Sequence, residues 1–266
     1  MSEDNSKNLY DKRNIDTLEM VYGRGYLSAG GDEEVARVLH GFELAGRSVL
    51  DLGCGLGGAS VTMSRDLGAT DIVGFDIDEV VLGRARVLVE ENRVDDRVRL
   101  ILGNPGPLQF ADESFDIVYT TAVACHMSDL AGFFREIARV LKPGGWLTGS
   151  DWMILEKNQA FHVWDKMLRN RGLNFYFADQ AEFNLALESV GFEQIRFNDR
   201  TDAFTGFSAE SSERVANELM PSLLSSLGEE GYRAFKDWSE VRYAGLKQGG
   251  MLYQHLYGKK GKSIQC

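Results

Sequence analysis

From residue 48 onward the chain alternates between short apolar runs and longer stretches with apolar residues at helical spacing. The runs are Ser48–Leu52, Asp71–Ile77, Val98–Leu102, Phe115–Thr120 and Trp146–Asp151. They read as buried parallel strands, which are near-continuously apolar because both faces are covered. The stretches Val80–Asn92 and Leu130–Leu141 between them repeat at the helix period. Strand–helix alternation of this kind predicts a doubly wound α/β sheet. Lys142-Pro143-Gly144-Gly145 predicts the end of a helix and a turn into a strand, with Pro and Gly as breakers. After residue 155 the pattern is mainly helical, over 157–170, 179–190, 208–227 and 229–246. Two further runs, Phe192–Asn198 and Met251–Tyr257, are expected to finish the sheet, so 201–247 reads as an insertion between its last two strands. That insertion is expected to cover a pocket.

Upstream of the sheet, residues 1–20 are polar apart from Leu9, Tyr10, Ile15, Leu18 and Met20. They predict a short helix that orders on ligand binding. The loop Gly23–Gly31 holds four glycines around Tyr26, Leu27 and Ser28. Asp32 is the predicted N-cap of a helix carrying Val35, Val38 and Leu39.

Composition narrows the class of partner. With 44% apolar and 26% charged residues, the chain can bury a core and stay in water. Its formal charge of -11 repels phosphate backbones and anionic membranes, so neither nucleic acid nor membrane is an expected partner. The expected partner is a small molecule, and the oligomeric state is left open. Cys54, Cys125 and Cys266 fit neither a zinc site nor a disulfide framework, and no metal is expected. Free thiols, a polar N-terminus and the lack of a long apolar run point to the cytoplasm.

The candidate chemistry begins at Asp51-Leu52-Gly53-Cys54-Gly55-Leu56-Gly57-Gly58, where a strand meets a helix. Such a turn is expected to place backbone N–H groups and a helix N-terminus under a ligand. Gly53, Gly55 and Gly58 also fit the dinucleotide pattern, so glycines alone do not choose the ligand. Asp51 does so in part. A carboxylate there opposes a pyrophosphate and favours the ammonium and sulfonium of S-adenosylmethionine. Asp76 lies about 20 residues beyond the loop, where an acidic side chain accepts from ribose hydroxyls.

Together VLDLGCGLGG, the acidic end of the next strand, SFDIVYTT and REIARVLKPGGWL resemble class I S-adenosylmethionine methyltransferases over roughly residues 45–155. The resemblance implies a seven-stranded, mostly parallel, Rossmann-like sheet with one antiparallel strand. It implies an arm and lid loop over 1–31 and a methyltransferase domain over 32–266. It places Gly53 and Gly55 at the methionine part, Asp76 at the ribose, Ile77 on the adenine and Asn104 at the adenine amino group. Cys54, Pro105 and Thr120 are counted with these cofactor contacts.

A narrower resemblance lies in Val21-Tyr22-Gly23-Arg24-Gly25-Tyr26-Leu27-Ser28-Ala29-Gly30-Gly31. It is similar to the loop before the core in phosphoethanolamine N-methyltransferases, which makes Leu27 and Ser28 candidate cofactor contacts. In that family a tyrosine and a histidine flank the transferred methyl, and Tyr10 and His126 match them. Gly249-Gly250-Met251-Leu252-Tyr253 resembles the ending of sarcosine and dimethylglycine N-methyltransferases. A histidine, with an ordinary pKa of ~6.5, can take the proton an amine must lose. The expected substrate residues are Tyr22, Trp152, Arg171, Tyr176 and Lys247, an aromatic pocket with cations to hold an anion. His40, His162 and His255 are expected to be structural. The chain also departs from the phosphoethanolamine pattern. Thr121-Ala122 stand in place of an Arg-Asp pair, Leu9 and Leu18 replace polar or phenolic residues, and Trp152 replaces a tyrosine. These departures keep other readings open: an oxygen, sulfur or carbon acceptor, or a cofactor-binding protein without activity.

Overall fold

Each apolar run of the sequence becomes a strand. The computed structural model describes residues 12–104, 106–171, 173 and 175–262. The strands are β1 (Ser48–Leu52), β2 (Asp71–Asp76), β3 (Val98–Leu102), β4 (Phe115–Thr121), β5 (Leu141–Ile154), β6 (Phe192–Asp199) and β7 (Met251–Lys260). They form one seven-stranded sheet in the order β3-β2-β1-β4-β5-β7-β6. The first five pair in parallel, while β7 runs antiparallel to β5 and β6. Strand order reverses between β1 and β4, and in open α/β sheets the ligand crevice opens at the carboxyl ends beside such a switch point.

The helices are α1 (Lys12–Tyr22), α2 (Gly31–Val38), α3 (Gly58–Arg65), α4 (Glu79–Glu91), α5 (Leu130–Val140), α6 (Gln159–Asn170), α7 (Gln180–Ser189), α8 (Thr201–Ala216) and α9 (Met220–Lys247). They cover both faces of the sheet. Val49 of β1 joins one buried cluster with Val35, Val38, Val61 and Met63 of α2 and α3. Its neighbour Leu50 joins another with Phe134, Ile137, Phe183 and Leu187 of α5 and α7. Successive strand residues point to opposite faces, so a strand buried on both sides needs an unbroken apolar run.

Three expectations are refined. Lys142–Gly145 do turn the chain, but β5 already begins at Leu141. Leu141 pairs with Phe115 and Trp146 with Ile117, so the four residues between bulge out of the ladder. Gly144, at φ 77°, takes a conformation that glycine adopts without strain. Asp32 is not an N-cap: α2 starts at Gly31 behind Gly30, and Asp32 accepts from Tyr26, Thr62 and Arg65 instead. The expected helix over 208–227 is interrupted. Asn217 leaves helical geometry at φ -123°, ψ -80°, and α9 restarts with Pro221 in its first turn, where its missing N–H has no role. Gly228 then breaks α9 at the expected boundary between 227 and 229.

The insertion of α8 and α9 between β6 and β7 is tied back to the core by a buried charge cluster. Glu34 of α2 lies 2.6 Å from Nε2 of His255 on β7, and Arg200, just before α8, donates to both its carboxylate oxygens at 3.0 Å. Burial alone raises the Glu34 carboxyl, but the hydrogen bonds and charges of His255 and Arg200 together outweigh it and hold the group at about 2. Its folded value thus lies below its unfolded one. The stabilisation is complete above the unfolded value of 4.5 and is lost as pH falls towards about 2. Glu34→Gln should lower stability at pH 7 by about 3 kcal/mol, the cost of breaking a buried pair. In denaturant melts the gap to wild type should close over that same pH window. Superimposable curves at pH 7 would remove the cluster as a clamp.

Candidate functional site

The carboxyl ends of β1, β2 and β4 meet at the glycine-rich loop. Asp51 ends up 2% exposed, one residue before the end of β1, and accepts from Ser60 Oγ at 2.6 Å. Asp76 closes β2, and its two oxygens accept from the Gly55 and Asp78 amides at 2.8 and 3.0 Å. Burial pushes Asp51 up to about 7, against the Ser60 hydrogen bond and with the charge of Asp76 adding to the rise. Burial raises Asp76 as well. Among the described residues no basic side chain pairs with either carboxylate. Two neighbouring acids without a cation form a site that favours a cationic ligand.

Five of the loop's amides are already spent on the protein. Gly53 and Cys54 donate to the Phe75 carbonyl, Gly55 to Asp76, Gly57 to Cys54 and Gly58 to Gly25. The expectation of N–H groups free under a ligand therefore needs correcting. A pyrophosphate wants such donors, and this loop withholds most of them. S-adenosylmethionine fits better. It brings positive charge to Asp51 and Asp76, and its ribose hydroxyls can use the remaining lone pairs of Asp76.

The loop Gly23–Gly31 packs over the same place. A Cβ on Gly58 would lie 2.6 Å from the Gly25 carbonyl and 2.8 Å from the Tyr26 ring. Leu27 clusters with Ile15, Leu56 and Val81, and its Cδ1 would lie 3.4 Å from a Cβ on Gly55. Leu27, Asp51, Gly53, Cys54, Gly55 and Asp76 are thus brought together. Ser28 is half-buried on the covering loop. Ile77 is 55% exposed just beyond Asp76, offering an apolar surface. Asn104 is exposed after β3. Thr120 is buried beside Leu52, with its hydroxyl unpartnered among the described residues. Pro105 and Tyr10 lie outside the described residues.

Beyond β4 the chain turns sharply at Ala122, whose φ of 54° is rare for a residue with a side chain. The turn seats Val123 against the glycine loop: a Cβ on Gly53 would strike its Cγ2 at 2.3 Å. Three residues on, His126 ends a short 3-10 turn, Ala124–His126, with its ring 4.3 Å from that of Phe175. Burial lowers the imidazole's pKa, because a desolvated ring resists protonation. The imidazole is thereby neutral near pH 7, on the turn whose Val123 packs on Gly53. Phe175 lies 49 residues further along the chain, so no local motif joins it to His126.

The expected substrate residues spread wider. Trp152 packs edge-on against Trp164, Tyr253 and Phe204. Tyr22 accepts from Arg242 of α9, which also lies 4.8 Å over Trp238. Arg171 lies 5.8 Å from that same ring, and burial lowers its pKa. Tyr176 is 51% exposed, and its amide donates to Cys125. Lys247 is exposed on the last turn of α9 over Tyr243, apart from the Trp238 group. The sequence reading missed Arg242. It is 5% exposed, and its Nη2 has no hydrogen-bond partner among the described residues. His255, by contrast, sits in the structural cluster with Glu34.

The chain is similar to known methyltransferases. Residues 50–148 match a family described as a methyltransferase domain. Phosphoethanolamine N-methyltransferase 3 of Arabidopsis thaliana is 27% identical over 226 residues, 84% of this chain and 44% of that enzyme. The chain thus spans under half the length of that relative. A sterol 24-C-methyltransferase of Pneumocystis carinii is 36% identical over 119 residues, 45% of this chain and 31% of the other. In fold, the chain superposes on Haemonchus contortus phosphoethanolamine N-methyltransferase 2 with a TM-score of 0.86 at 21% identity, covering 97% of this chain and 59% of that one. That structure holds phosphomonomethylethanolamine and S-adenosylhomocysteine.

Proposed function

The chain carries a methyltransferase domain of the class I, S-adenosylmethionine-dependent kind, and on that premise we propose that it methylates the amine nitrogen of a small molecule that also bears an acidic group. One observation carries the reading: Val123 packs on Gly53, so the turn that ends in His126 is built onto the cofactor loop. S-adenosylmethionine supplies an electrophilic methyl on a sulfonium. The protein has to bring a nitrogen lone pair into line with it, and such positioning accounts for much of the rate. An amine reaches the site as an ammonium ion without a lone pair. His126, kept neutral by burial, accepts that proton at a ring nitrogen. Aromatic side chains suit the resulting methylated ammonium. Arg171 and Arg242, around Trp238 and without carboxylate partners among the described residues, suit the acidic group.

The acid-rich sequence and unpaired Cys54 and Cys125 support a cytoplasmic setting. Among the described residues no helix is long and apolar enough to cross a membrane. A carbon acceptor is the second reading, favoured by the stretch shared with the sterol enzyme and by Ala122, which cannot hold a cation. Calorimetry should show S-adenosylmethionine binding and no NAD binding; the reverse result removes the cofactor assignment. Labelled methyl should then be offered with phosphoethanolamine, sarcosine, dimethylglycine, a phenol, a thiol and a sterol. Label on an acidic amine is the expected outcome. Label only on oxygen, sulfur or carbon overturns the nitrogen reading.

A further inference from the structure

The turn that carries His126 is too short to hold itself. A three-residue 3-10 turn leaves its leading N–H groups without partners inside the turn. Here they find one in Asp151, three residues before the end of β5. Ala124 donates to Asp151 Oδ2 at 2.8 Å and Cys125 to Oδ1 at 3.3 Å. The Trp152 amide donates as well, at 2.8 Å, and so does the Cys125 thiol. The carboxylate is 1% exposed, so water does not replace these donors. On the turn's other side, the Tyr176 amide donates to the Cys125 carbonyl at 2.7 Å, and the Phe175 ring packs tilted by 39° against the imidazole. The turn is therefore gripped from β5 and from the segment after α6.

We propose that Asp151 is a positioning residue: its carboxylate sets the Ala124–His126 turn, and through it the direction from which His126 meets the substrate amine. The proposal rests on the reading of His126 as the base. A buried acid has to be justified by its partners, and three amides that converge on one carboxylate supply that justification. Burial pushes the group up to about 6 against those hydrogen bonds, so it is ionised at neutral pH and above. A neutral amide in its place would turn N–H groups against N–H groups.

Asp151→Asn tests this, with Asp151→Ser as the second variant should the amide fail to fold. The His126 ring signal in NMR is identified by its loss in His126→Ala. Removing a negative charge by itself lowers a nearby imidazole's pKa, whereas loosening the turn exposes the ring and raises it. The expected result is a His126 midpoint that moves up towards the ordinary ~6.5. Exchange of the Ala124 and Cys125 amides should quicken by about tenfold or more, as for a locally opened segment. Affinity for S-adenosylmethionine should stay within about twofold, and kcat on the accepted amine should fall more than KM rises. In a His126→Ala background Asp151→Asn should cost little further, since the two act as one unit. A midpoint that stays or falls, with both amides still protected, overturns the proposal. If His126→Ala alone leaves turnover intact, the base reading fails, while exchange and titration still decide whether Asp151 holds the turn.

Discussion

Gly53→Ala should weaken binding of S-adenosylmethionine by about 100-fold, close to 3 kcal/mol. Two penalties combine. Gly53 sits at φ 76°, where a residue with a Cβ is strained by roughly 1–2 kcal/mol. The new methyl would also lie 2.3 Å from Val123 Cγ2, and a β-branched neighbour has few rotamers into which to retreat. Overpacking of this kind costs about 1–3 kcal/mol. Without ligand the loop can relax away from both strains; ligand binding requires the original loop, so the cost appears in affinity. The double variant Gly53→Ala, Val123→Ala should recover about tenfold of the loss, the share due to the clash. Calorimetry decides. An affinity within twofold of wild type would mean that the loop and the His126 turn are not built onto each other.

Much of the fold could be read from residues alone because it rests on periodicity. The strands were legible where apolar runs were unbroken, and β1 and β3 begin and end where the runs do. Boundaries blurred where pairing, not composition, decides. β5 reaches back to Leu141 because Phe115 is there to pair with it. The helix drawn over 208–227 had good spacing, but Asn217 and Pro221 divide it.

The site was legible in its charges and not in its contacts. Asp51 points to a cationic ligand and Asp76 to ribose hydroxyls from one dimension, since each lies at the carboxyl end of a strand. The fate of the loop amides does not show in sequence, because their acceptors are the carbonyls of Phe75, Cys54 and Gly25 and the Asp76 side chain. Arg242 lies 220 residues from Tyr22 in the chain, so no local motif joins them. Lys247, one of the cations expected to hold an anion, sits little more than one helical turn further on, and one turn is enough to leave it exposed over Tyr243. Asp151 is invisible for the same reason: it acts on a turn 26 residues upstream, which only the β4–β5 pairing brings within reach.

His126→Ala should lower kcat at pH 7.5 by about 100-fold or more, within the usual range for removing a general base. S-adenosylmethionine binding should be nearly unchanged, because the proposed role of the imidazole is on the acceptor's proton and not on the loop. The pH profile separates a base from a packing role. Burial holds the imidazole's pKa below its ordinary value, so wild-type kcat should rise with pH through a midpoint under ~6.5 and then level off. The variant should lose that limb. Its rate should instead follow the substrate's own deprotonation, so the gap to wild type narrows as pH approaches the amine's pKa, near ~10 for an alkyl ammonium. Alanine also removes the ring that packs on Phe175. His126→Phe restores an apolar ring there without a proton acceptor, and it should be as slow as alanine. Recovery of turnover in the phenylalanine variant, or an acid limb that survives in alanine, would assign His126 to packing and leave the proton to another group.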